Sequence, residues 1–145
     1  MQCVRLYHPK RMIVCEKDAE RRAFAAKLCP EALVVPPEGL VNFVLDHSEH
    51  GGADRVFEVA GSSETFRLAW QCARPNAIVT IVAMYDEPQI LPLPSMYGKN
   101  LVFKTGGVDG CDCAAILQLI EAGKLDAEPL ITHTFPLCDI EQAYD

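Results

Sequence analysis

Gly52-Ala53-Asp54-Arg55-Val56-Phe57-Glu58-Val59-Ala60-Gly61 decides the fold. The stretch leaves a Gly-Gly-Ala-Asp loop, runs through Arg55 to Ala60 as a strand, and stops at Gly61-Ser62, which supplies a turn and a helix cap. Phe66, Ala69, Trp70 and Ala73 then recur at i, i+3, i+4 and i+7, which predicts a helix. Pro75-Asn76 ends that pattern before another buried strand, Ala77 to Met84. Strand, helix and strand in this order form the unit from which parallel sheets are built.

The same unit precedes it. Arg11 to Cys15 reads as a strand buried on both faces, ending on Glu16, after which Asp18 caps a helix that runs to Cys29-Pro30. Ala32 to Val35 is a second short strand, closed by Pro36-Pro37. Leu40, Val41, Val44 and Leu45 then share one helical face, which ends near His50-Gly51-Gly52. On the far side, a proline-bearing loop (Pro88, Pro92, Pro94) leads to a strand from Leu101 to Thr105 and to Gly106-Gly107. Cys113, Ile116, Leu117 and Ile120 mark a helix that Gly123 closes. Short buried strands alternating with helices predict an α/β fold, a doubly wound parallel sheet with helices on both sides. The tail differs: Ile131 to Phe135 reads as extended, and Asp139 with Gln142 could form a capping box.

Composition narrows the function. The chain is 50% hydrophobic, with a net charge of -7 and an isoelectric point near 5.0. Nucleic acid is disfavoured as a partner, because phosphate binding needs clustered Lys and Arg; a small molecule fits better. No apolar run approaches the roughly 18 residues that cross a bilayer, and the first residues lack a secretory layout, so a cytoplasmic protein without a membrane partner is expected. Seven cysteines, an odd number, argue for reduced thiols. Cys111 and Cys113 form a C-x-C pair without a second pair or a nearby histidine, so no metal site is assigned.

The quoted stretch, with Glu64-Thr65-Phe66, Arg74-Pro75, Lys99-Asn100-Leu101, Gly106-Gly107, Leu119 to Leu125, Ile131 to Leu137 and Ile140 to Tyr144, resembles the cofactor domain of zinc-dependent medium-chain alcohol, sorbitol and threonine dehydrogenases. The segments fall in that family's order over nearly the whole chain. The resemblance implies a Rossmann-type sheet and NAD as cofactor, with residues 1–125 as a partial NAD-binding domain and 126–145 as a return segment toward a catalytic domain. Glu16 matches the acid that holds the adenosine ribose. A carboxylate there accepts bonds from the ribose hydroxyls and repels a 2′-phosphate, which favours NAD over NADP. A solvated carboxylate at a strand end is the alternative. Arg21 matches a basic residue near the adenosine, with a surface salt bridge as its alternative. Ala60 and Gly61 match positions near the cofactor's ribose. Val82, Ala83 and Met84 match the strand end that meets the nicotinamide, and Gly106, Gly107 and Val108 the segment facing it, although a glycine pair after a strand is also an ordinary turn.

The family's G-x-G-x-x-G loop does not occur in this sequence. The resemblance implies that the first strand and this glycine loop lie before residue 1, with Gln2 to Leu6 as the last turns of the helix that follows. Zinc would come only through a catalytic domain outside these residues. The expectations are therefore the NAD-binding portion of an alcohol or polyol dehydrogenase, itself inert, with no catalytic residue. His133 is the one acid-base candidate and reads as structural. In the order 3-2-1-4-5-6 the first strand is central, so two edges should stand open, inviting closure, a strand-mediated homo-oligomer or poor solubility. A nucleotide-dependent methyltransferase, whose second strand also ends on a ribose-holding acid, and a non-catalytic interaction module are the competing readings.

Overall fold

Among the described residues every strand pairs in parallel, and the pairing falls into two pieces. In the computed structural model, residues 1–106 and 112–144 are described. β1 (Ile13–Cys15) pairs only with β2 (Leu33–Val35), in the register Ile13–Leu33, Val14–Val34 and Cys15–Val35. β3 (Ala53–Glu58), β4 (Ala73–Ile81) and β5 (Val102–Thr105) form a second sheet in that order. β1 and β3 do not pair, so each has one open edge, as the sequence implies.

By contacts the chain forms two compact units, Lys10–Asp109 and Met1–Pro9 with Gly110–Asp145. Both sheets belong to the first. There α2 (Ala19–Leu28) follows β1, with Asp18 accepting the Arg21 amide at 2.8 Å as its cap. α3 (Leu40–Asp46) follows β2, and α4 (Ser63–Cys72) follows β3. Ser62 and Thr65 cap α4 reciprocally, each side chain bonding the other's amide. Because strand side chains alternate, Val56, Val79 and Phe103 face α4. Ala69, Ala73, Ala77 and Val79 form the centre of that core. The opposite face carries Arg55, Phe57, Ile78 and Val102, with Phe57 50% and Val102 48% exposed. A second core joins the two sheets through helices rather than strands: Leu40, Val44 and Cys72 pack with Ile13 and Val35 on one side and Ala53 and Leu68 on the other.

Several expectations shift. β1 is half-buried with Cys15 exposed, not buried on both faces, because it is the open edge of a two-stranded ladder. β4 starts at Ala73, before Pro75-Asn76, and stops at Ile81. A register irregularity between Ala53 and Arg55 absorbs the extra residues, and Asn76 takes the left-handed conformation. The proline-bearing loop contains α5 (Leu93–Met96) and a 3-10 turn, Tyr97–Lys99. Lys99 at its end sends Nζ to the carbonyl oxygens of Trp70, Gln71 and Ala73 at 3.0, 2.7 and 2.7 Å, satisfying the carboxyl end of α4 with a cation.

In the other unit, α1 (Gln2–Arg5) is tied to the chain after α6 (Cys113–Glu121) by a two-way clasp. Gln2 Nε2 donates to the Asp126 carbonyl and Gln2 Oε1 accepts the Asp126 amide. Gly123 closes α6 with φ +67, as expected. Ile131 to Phe135 pairs with no strand. Leu137–Ala143 is a 3-10 helix without a side-chain cap, and Asp139 breaks its helical backbone, so the Asp139–Gln142 capping box does not form. No described helix is long and apolar enough to cross a membrane.

Gly52 is where packing demands glycine. Its φ is +138, and a Cβ would lie 2.6 Å from the Cys72 carbonyl oxygen and 2.7 Å from the Arg74 nitrogen. At Gly51, with φ +72, nothing lies within 4 Å. Gly52→Ala should therefore cost about 3 kcal/mol or more and Gly51→Ala about 1 kcal/mol in urea unfolding. Equal losses would refute the packing argument.

Candidate functional site

Four of the strands carry sequence-singled residues just past their carboxyl ends. Glu16 follows β1, Ala60 and Gly61 follow β3, Val82 to Met84 follow β4, and Gly106 follows β5. Gly107 and Val108 lie outside the described residues.

At the end of β1, Glu16 is half-buried. Its amide bonds the Val35 carbonyl at 3.1 Å, and its Oε1 accepts the Asp18 amide at 2.9 Å. The side chain is thus held by the turn that starts α2. Arg21 is exposed on that helix, and only its amide is used there, by the Asp18 cap. Its neighbour Arg22, which the sequence reading passed over, reaches back instead: Nη1 donates to the carbonyls of Glu16 at 2.9 Å and Lys17 at 2.6 Å. Two adjacent arginines on a helix point in different directions, and only the fold tells which one braces the strand end.

At the ends of β3 and β4, the loops interlock through one residue. The Glu58 main-chain oxygen accepts the amides of Val82 at 2.8 Å and Ala83 at 3.3 Å. Glu58 Oε1 accepts the amides of Ala60 at 2.9 Å and Gly61 at 3.0 Å, and Oε2 accepts the Tyr85 hydroxyl. Gly61, at φ +78, lets the loops touch: a Cβ would lie 2.6 Å from the Met84 carbonyl oxygen. Tyr85 also meets Phe66 edge-on, with ring centroids 6.3 Å apart. Glu58 is 3% exposed, the one buried charged side chain among the described residues. Its signal in the sequence was a carboxylate inside the apolar run Val56-Phe57-Glu58-Val59-Ala60, a placement that requires donors.

Gly106 is exposed, and nothing lies within 4 Å of where its Cβ would be, so packing within the protein does not require glycine there. His133 is exposed in the other unit, bonded to the Thr132 hydroxyl and stacked on Phe135, with no acid or base partner in those contacts. A groove of about 360 Å³ lined by Phe66, Arg67, Trp70, Pro88, Ile90 and Pro92 holds none of the singled residues. Burial pushes the Cys72 thiol up to about 11, and burial with the nearby Glu16 and Glu38 charges pushes the Cys15 thiol up, so neither is a thiolate nucleophile at neutral pH.

Burial alone would push the Glu58 carboxyl up. The hydrogen bonds from Tyr85, Thr65, Ala60 and Gly61 outweigh it and hold the group below its ordinary value. A carboxyl lowered in the folded state stabilises the fold fully above its unfolded pKa, about 4.3, and loses that contribution as pH falls through the folded value. The unaltered chain should therefore lose stability below about pH 5 more steeply than Glu58→Gln, which should be about 1–3 kcal/mol weaker at pH 7. Parallel urea-unfolding profiles from pH 7 to 3 would contradict this.

No family model matches the chain. It is 28% identical over 134 residues, 92% of its length, to a 2-dehydro-3-deoxy-L-galactonate 5-dehydrogenase of Pseudoalteromonas atlantica, covering 39% of that protein. It superposes with a TM-score of 0.87 at 25% identity on a zinc-dependent alcohol dehydrogenase from Streptococcus pneumonia, covering 94% of this chain and 40% of that one. It superposes at 0.84 and 20% identity on an alcohol dehydrogenase from E. coli CFT073 complexed with NADH, covering 99% of this chain and 42% of that one. The chain thus spans about two-fifths of the length of the relatives it matches. The order of its strands, the segments at their ends and these likenesses agree: the chain resembles part of zinc-dependent alcohol, polyol and threonine dehydrogenases and shares the Rossmann-like fold of that part.

Proposed function

We propose that this chain is the NAD-binding portion of an alcohol or polyol dehydrogenase. The observation that carries the reading is the placement of Glu16, Ala60, Gly61, Val82, Ala83, Met84 and Gly106, each just beyond the carboxyl end of a parallel strand, the side on which open α/β sheets bind dinucleotides. Residues 1–125 would supply this site, with 126–145 as the return segment. Glu16 would hold the adenosine ribose, because a carboxylate fixed by the Asp18 amide presents acceptors to a pair of hydroxyls. Arg21, exposed one turn on, would flank the adenosine. The loops after β3 and β4, with Gly106, Gly107 and Val108, would face the ribose and the nicotinamide. The NADH in the solved relative supports a nicotinamide cofactor.

Such a cofactor, when bound, supplies the hydride acceptor for alcohol oxidation. This chain's residues would bind and orient it. Zinc does not fit in the same way: among the described residues no three of His, Cys, Asp or Glu gather as ligands. The alcohol chemistry of a longer protein would draw its metal ligands from elsewhere.

Calorimetric titration of the purified chain tests the reading. NADH should bind more tightly than NADPH. Glu16→Ala should weaken NADH about tenfold or more, since a hydrogen bond to a charged group contributes about 1.5–3 kcal/mol, and should narrow the preference over NADPH. Equal affinities for the two dinucleotides, unchanged in the variant, would contradict it.

A further inference from the structure

We propose that Glu58 and Tyr85 are positioning residues that hold the nicotinamide-facing loops in their binding geometry. The proposal rests on the dehydrogenase reading above and adds two residues that it does not name.

The geometry is specific. Of the residues that reading assigns to the ribose and nicotinamide, those after β3 and β4 lie on two separate loops, 59–62 and 82–85, and Glu58 bonds to both. Its main-chain oxygen takes the Val82 and Ala83 amides, Oε1 takes the Ala60 and Gly61 amides, and Oε2 takes the Tyr85 hydroxyl. Tyr85 is the only side chain of the second loop that closes on the carboxylate in these contacts. Its ring is held in turn by Phe66, itself packed with Trp70 and Met96. Met84, next to it, is 92% exposed, so this loop meets solvent immediately beyond the anchor. Without the Tyr85 hydroxyl, the second loop would keep its two main-chain bonds and lose its only tie to the carboxylate. The backbone groups of Val82, Ala83 and Met84 would then sample positions away from those that a carboxamide could meet, and recognition by backbone is sensitive to displacements of that size. Val82 and Ala83 spend their amides on Glu58, so what the loop offers a ligand is its carbonyl oxygens and the side of the chain that the clamp leaves outward.

This role separates from a structural one by asking which half of the cofactor suffers. Glu16 follows β1, in the other sheet, and its contacts share no residue with the clamp. Reduced nicotinamide mononucleotide and AMP are therefore independent probes. Tyr85→Phe is the main variant because it keeps the ring and removes only the hydroxyl, and Glu58→Gln is the second. Each is titrated with both ligands, and amide exchange is followed by NMR. The expected result for Tyr85→Phe is about tenfold faster exchange at Val82 and Ala83 with Val79 unchanged. The affinity for reduced nicotinamide mononucleotide should fall about tenfold, and that for AMP should not change. Glu58→Gln should do the same or more. Faster exchange with unchanged nicotinamide affinity would overturn the positioning role, as would parallel loss of both ligands. AMP binding without nicotinamide binding by the unaltered chain would overturn this proposal alone. Binding of neither would overturn the dehydrogenase reading, and this proposal with it.

Discussion

Donors from two loops and from Thr65 converge on the buried Glu58 carboxylate, and that convergence shapes the end of the larger sheet. An ionised side chain out of water costs several kcal/mol unless its lone pairs are met by donors. Here they are met by amides that the turn after β3 must expose in any case, and by a tyrosine from the turn after β4. Gly61 has to be glycine for the turns to approach, Ser62 starts α4 immediately afterwards, and Phe66 on the first turns of α4 steadies the tyrosine. One residue type at one position therefore ties together a strand end, a helix start and a neighbouring loop.

The opposite end of the same strand is fixed by sterics rather than charge. Gly52 passes so near the Cys72 to Arg74 backbone that only a missing side chain allows it, and Lys99 closes the carboxyl end of α4 above the same turn. β3 is thus pinned at both ends and paired on one edge. Its other edge is open, and so is that of β1. What joins the two sheets is the helix-borne cluster around Leu40, Val44 and Cys72. Hydrophobic packing is non-directional, so it can hold two sheets in one unit without the register that backbone bonds would impose.

Much of this was legible in the sequence. The strand and helix order follows from periodicity, and the Asp18 and Ser62 caps and the Gly123 stop follow from residues whose backbone preferences are strong. What periodicity cannot carry is pairing partners and the far ends of hydrogen bonds. Pro75-Asn76 reads as a boundary, but β4 runs through it, because the bridge between Ala53 and Ala73 is set by tertiary register. Arg21 and Arg22 are equivalent in sequence, and only the course of the chain shows that Arg22 braces Glu16. Glu58 could have been noticed as a carboxylate in an apolar strand. Tyr85, 27 residues on, could not have been assigned to it without the fold. The expected extended segment at Ile131 to Phe135 begins with Ile131 in extended backbone, and among the described residues no strand pairs with it.

The proposed cofactor site lies at the carboxyl ends of β1, β3, β4 and β5. The most direct measurement is a map of amide chemical-shift changes as NADH is added to the isotope-labelled chain. The account predicts shifts at Glu16, Ala60, Gly61, Val82, Ala83, Met84 and Gly106, with Asn76 and Asn100, bonded to each other at the amino-terminal side of the sheet, left unmoved. Shifts centred on Asn76 and Asn100, or on the groove around Trp70, with the strand ends silent, would contradict it.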